Sequence, residues 1–267
     1  MQMKKRMKTE IVDVTPAMAK VWLSRNSNNR NLREDVAHRY AKDMAEGRWH
    51  LSHQGIAFYE DGTLADGQHR LFAVTVFDKP VKLSVTYNLP RAAGQMLDQH
   101  TPRMAHDAIR IAGGGTWVNK EIVAIARFVM GNMGTDTHTK SVAEIDQYIH
   151  RYTEPLQFAS SLVPQKRRNL TGAPIVANYF CAERAGVPRA VLQRFGEIMI
   201  HGEIAGPHEN AAIRLREYLL QAGTSAWLGG ARVETAKKVQ RAISLFAAGK
   251  AISKLVLPDH LTYPIPK

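Results

Sequence analysis

Thr63-Leu64-Ala65-Asp66-Gly67-Gln68-His69-Arg70-Leu71-Phe72-Ala73-Val74 reads as a short strand, a glycine corner and a helix. Gly67 can take a sharp backbone corner without a Cβ penalty. After it, Leu71 with Val74 or Thr75, and Phe72 with Val76, fall at helical spacing. Gln68, His69 and Arg70 then occupy the first helical turn. The backbone amides of that turn and the positive end of the helix dipole face whatever lies over the corner, which makes a phosphate the natural guest. His69 and Arg70 add donors and charge. Asp66, on the rim, could hold a cation, orient a hydroxyl or accept a proton. Asp-Gly is also a generic turn pair, so these residue types alone favour a purely structural corner over a phosphate site.

The flanking text builds an α+β block around this corner. Ile11–Val14 reads as a strand, and Thr15 caps a helix with Pro16 at its first position. Asn31 and Glu34 suggest a capping box for a second helix, whose stripe is Leu32, Val36, Tyr40 and Met44. Gly55–Tyr59 and Thr63–Ala65 pair across a Glu60-Asp61-Gly62 turn. Val81, Leu83, Val85 and Tyr87 alternate as a half-buried strand. Beyond it the chain reads as helices, over about 103–112, 118–132, 140–161, 168–185, 188–201, 208–222 and 232–248. The domain reading is a basic tail over 1–9, an α+β domain over 10–103, an all-α domain over 104–255 and an extended tail over 256–267.

Asp66-Gly67-Gln68-His69-Arg70 resembles the signature of the ParB/sulfiredoxin superfamily. Partition proteins carry Gly-Glu-Arg-Arg at this corner, sulfiredoxins Gly-Gly-Cys-His-Arg, and free-serine kinases Asp-Gly-His-His-Arg. The order of elements over about residues 10–105 is similar too, and the pattern looks most like the ParB-like proteins of bacteriophages and mobile elements. The resemblance implies a ParB/sulfiredoxin-like domain with a small mixed sheet. It implies that Gly67, Gln68, His69 and Arg70 hold the phosphates of ATP or CTP with Mg²⁺, and that Asp66 and His69 are the candidate catalytic groups. Gln68 stands where sulfiredoxin has its cysteine, so sulfiredoxin chemistry is not expected. Arg30, after Asn28-Asn29, matches the arginine that reaches the same nucleotide. Asp98-Gln99-His100-Thr101-Pro102-Arg103 sits where partition proteins have Glu-Asn-x-x-Arg; Asp98 is the second metal candidate beside Asp66, and Arg103 a further phosphate ligand. Here the arginine follows the acid by five residues rather than four.

The 267 residues carry 36 Lys and Arg against 24 Asp and Glu, a formal net charge of +12. Such an excess suits a polyanion, most simply DNA. Residues 1–102 hold 15 basic and 11 acidic side chains, and the remainder 21 and 13, so the helical part carries most of the positive field. Its densest run, Gln165-Lys166-Arg167-Arg168-Asn169, opens the helix expected from 168; Lys166, Arg167 and Arg168 are the candidate DNA contacts. The one cysteine, Cys181, lies among apolar residues and reads as a buried thiol in a reducing cytoplasm. The eleven histidines show no zinc spacing, and no run is long and apolar enough for a membrane span. The expected function is that of a DNA-associated, nucleotide-binding protein in the cytoplasm of a bacterial host cell, either hydrolysing the nucleotide or transferring its phosphoryl group. A homodimer is one assembly this admits. The alternatives are a non-catalytic DNA-binding regulator and a ParB-like nuclease.

Overall fold

A computed structural model describes residues 6–26, 31–96, 104–136, 139–164, 167 and 169–267. The fold is α+β, and the chain divides into two compact units, 1–103 and 104–267.

The first unit is built on a four-stranded mixed sheet of order β1-β4-β2-β3, with β1 Lys8–Val14, β2 Ile56–Tyr59, β3 Leu64–Asp66 and β4 Val81–Leu89. β1 runs antiparallel to β4 from Lys8↔Tyr87 to Val14↔Val81. Lys8 and Thr9, expected in a tail, therefore belong to the sheet. β2 is parallel to β4 and antiparallel to β3, with a register shift between Ala57 and Phe58 on the β3 side. Helix α1, Pro16–Leu23, starts where the sequence places it: the Thr15 side chain accepts the Met18 N–H at 3.2 Å. Helix α3, Gln68–Phe77, packs against α1 and α2, Glu34–Ala45. Trp22, Phe58, Leu71, Val74, Leu83 and Val85 form the core. Each such burial contributes about 1.5–3 kcal/mol for a large apolar side chain.

Helix α2 departs from expectation. Its N-cap is Arg33, not Asn31, and the Arg33 side chain makes no capping bond. The amide of that N-cap residue is held from elsewhere in the fold, since the Arg33 N–H donates to His69 Nε2 at 3.0 Å. The buried face accordingly runs through Ala37, Ala41 and Met44, while Val36 and Tyr40 are half-buried.

The second unit contains α4 Ala105–Ile109, α5 Lys120–Met130, α6 Val142–Arg151, α7 Thr153–Ser161, α8 Ala173–Arg184, α9 Arg189–His201, α10 Asn210–Ala222 and α11 Ala231–Ala247. Its centre is α8, buried continuously from Ile175 to Ala182, as a helix surrounded by others must be. Cys181 lies in that run, and burial pushes its thiol up to about 12, as suits a packing residue. The expected single helix over 140–161 is two. Ser141 and Glu144 form a capping box at the start of α6, and the chain breaks at Tyr152, where Pro155 in the first turn of α7 leaves no amide for a continuous ladder. Residues 256–267 carry neither helix nor strand, yet Leu261, Tyr263 and Ile265 pack on the helical core and Tyr148 Oη donates to the Pro266 carbonyl at 3.0 Å.

Candidate functional site: the Gly67 corner

β3 delivers Asp66 to the corner, and Gly67 caps α3 at φ +102°. Two constraints demand glycine there. The backbone is left-handed, and a Cβ would lie 2.5 Å from Ile56 Cδ1 and 3.1 Å from the Gly55 carbonyl oxygen. Gly55 is equally restricted, since a Cβ on it would run into the Ser84 carbonyl of β4. The two glycines let the entry to β2, the neighbouring β4 and the corner close on one another.

The polar side chains of the motif then reach four different segments. Asp66 Oδ1 accepts the Gly67 N–H at 2.6 Å, closing the first amide of the corner. Gln68 is buried, and its Oε1 accepts from Asn26 Nδ2 at 2.8 Å. His69 accepts the Arg33 amide at Nε2, so that nitrogen carries no proton in this arrangement. Arg70 turns back along the sheet: Nη1 donates to the Gly55 carbonyl at 3.0 Å, and Nη2 lies 3.5 Å from Gln54 Oε1. Arg70 Nη1 is also 3.5 Å from Asp66 Oδ2, with the arginine side chain 16% exposed and the aspartate 39%. Arg70 thus has one firm anchor and two contacts at the limit of hydrogen bonding.

Asp66 is the carboxylate that the described contacts bring against Arg70. One of its oxygens faces the Gly67 amide and the other Arg70, so a Mg²⁺ held here would draw on Asp66 and on the oxygens of the nucleotide. Among the described residues no group of three or more His, Cys, Asp or Glu side chains is placed to hold a metal. Arg30, Asp98 and Arg103 lie outside the described residues, as do Lys166 and Arg168.

Arg167 is exposed, in the connection between α7 and α8. Arg167 therefore precedes the helix rather than opening it. Asn169 takes a left-handed backbone at φ +67°, and α8 begins only at Ala173, with Pro174 in its first turn. The Arg167 N–H donates to Thr171 Oγ1 at 2.7 Å, which fixes the turn. Arg167 and Lys120 line an open cavity of about 410 Å³.

The sequence reading missed Gln54, Gly55, Asn26 and Arg33. An isolated glycine at the head of an alternating run is a recognisable sign of close backbone approach, and Gly55 had it. The other three carry no local signal. No protein-family model, curated protein or solved structure matches the chain.

Proposed function

We propose that the chain is a ParB-like, DNA-associated protein of a phage or mobile element that binds a nucleoside triphosphate, ATP or CTP, at the Gly67 corner. The observation that carries this reading is the half-occupied fork of Arg70. A guanidinium has five N–H donors. One firm bond to Gly55 orients it beside the first turn of α3, and the contacts to Asp66 and Gln54 are long. A phosphate would exchange those weak contacts for charge-assisted ones and meet the positive end of α3, with little reorganisation of the arginine. Asp66 occupies the anion position in the meantime. Mg²⁺, arriving with the nucleotide, would neutralise Asp66 and ease that exchange.

With Asp66 the carboxylate at Arg70 among the described residues, the arrangement favours binding and sensing over hydrolysis, phosphoryl transfer or nuclease chemistry. The second reading is accordingly a DNA-binding regulator whose corner senses nucleotide. Calorimetric titration of the purified protein with ATP, CTP, GTP and UTP, with and without Mg²⁺ and duplex DNA, tests both. Binding of one triphosphate without turnover supports sensing, and turnover supports catalysis. No affinity for any of the four removes the nucleotide reading.

A further inference from the structure

In the helical unit a cavity of about 370 Å³ opens between α5, the turn that follows it and the start of α11. We propose that this cavity is a second, independent site, for a small organic anion: a flat apolar body bearing a phosphate or carboxylate group.

Its size falls within the usual range for small-molecule sites. Lys120, Val123, Ala124 and Arg127 stand at helical spacing on one face of α5 and supply one wall, with Phe128 beside them. Arg232 faces them from α11. The wall is apolar at Val123, Ala124 and Phe128 and cationic at Lys120, Arg127 and Arg232. No hydrogen bond or ion pair engages the side chain of Lys120 or Arg127 among the described residues. The situation differs from Arg189 and Arg194, which sit on carboxylates. The carboxylate in the wall, Asp136, is held by Lys140 at 2.8 Å, so it leaves the positive field of the cavity in place.

The backbone is shaped around this arginine pair. Asn132, Met133 and Gly134 all take positive φ, at 51°, 55° and 95°. Such a backbone is common for Asn and Gly but strained for Met, and Met133 is held there by complete burial in the core. The turn brings Gly134 against the stem of Arg232, where a Cβ would lie 2.5 Å from Cδ. Arg232 Nε donates to the Trp227 carbonyl at 3.3 Å, which anchors the guanidinium while Arg232 lines the cavity. The result is a pre-oriented guanidinium opposite Lys120 and Arg127, over a surface that accepts a ring.

8-Anilinonaphthalene-1-sulfonate, a fluorescent aromatic anion, probes the site. The expected result is saturable 1:1 binding by the full chain, weakened at least tenfold in Arg127→Gln with Arg232→Gln and unchanged in Arg241→Gln, on the exposed side of α11. Arg127→Gln alone, at an exposed position, keeps the test valid if the double variant unfolds. Displacement by phenyl phosphate or by benzoate identifies the head group. Unchanged affinity in a folded Arg127→Gln variant, or displacement by neither competitor, overturns the assignment. Because Arg70 lies in the other unit, Arg70→Ala should leave this binding as it is; a loss there would also overturn it.

Discussion

The Gly67 corner and the α5 cavity both gather cations, but the fold treats those cations oppositely. At the corner nearly every polar group is tied down: Asp66 to Gly67 and Arg70, Gln68 to Asn26, His69 to Arg33, Arg70 to Gly55. At the cavity the Lys120 and Arg127 side chains stand unengaged among the described residues, while Arg232 is anchored. A motif that is conspicuous in sequence can thus be largely occupied in holding its own domain together. A site with free donors can be assembled from residues a hundred positions apart. On the proposed reading, function at the corner would depend on how readily the long contacts of Arg70 to Asp66 and Gln54 give way.

The largest effect should come from breaking the geometry that makes the corner. Gly55→Ala puts a methyl into the Ser84 carbonyl with no flexible side chain to yield, and should cost at least about 4 kcal/mol of stability, the severe end of single substitutions. Urea denaturation measures it; a near-neutral result would mean that the β2–β4 approach is looser than described. Removing the anchored cation comes next. Arg70→Ala should weaken nucleotide binding by about 1.5–3 kcal/mol, the scale of a hydrogen bond to a charged group. Calorimetry on a folded variant checks this, and equal affinity would remove Arg70 from the site.

The fully closed arginine of the helical unit is the control. Arg194 grips Glu209 with Nε–Oε1 and Nη2–Oε2 both at 2.8 Å, and the glutamate also accepts the Ala205 N–H. The Arg194 guanidinium pulls the Glu209 carboxyl down to about 2 from an ordinary 4.5. A folded-state value below the unfolded one stabilises at pH above about 4.5, and that stabilisation is lost as pH falls toward about 2. Glu209→Gln should cost about 1–3 kcal/mol near neutrality. It should also lose less stability than the wild type between about pH 5 and about pH 3, as thermal melts can show. If the two melting curves fall in parallel with acid, the pair contributes nothing to acid sensitivity.

The smallest change per residue belongs to the basic run. Changing Lys166, Arg167 and Arg168 together to Gln should flatten the salt dependence of DNA binding by about 0.9 in log–log slope for each phosphate that is no longer neutralised. Nucleotide binding measured without DNA should be nearly unaffected. Loss of nucleotide binding with an intact salt slope would show that the two surfaces have been assigned the wrong way round.

What the sequence made legible was local. Thr15-Pro16 and Gly67 act on the residues next to them, and the structure uses both as caps. The bounds of α3 and the helical character of the second unit follow from periodicity in the same way. The misplacements were long-range or hidden in one residue. The Arg33 amide bonds to a histidine 36 positions away, Arg70 reaches a carbonyl 15 positions back, and Pro155 splits an otherwise continuous helical pattern. The cavity along α5 was illegible because the left-handed Met133 that shapes it has no sequence signature; burial enforces it.

The claim that the corner is an anion site held closed by its own aspartate is tested most directly by Asp66→Asn, titrated calorimetrically with ATP and CTP in the absence of divalent cations. Asparagine keeps the shape and removes the charge that competes for Arg70. Affinity for the preferred triphosphate should rise several-fold over the wild type. Unchanged or weaker binding in a folded variant would contradict the claim, and would leave Asp66 and Arg70 as a structural pair that merely braces the start of α3.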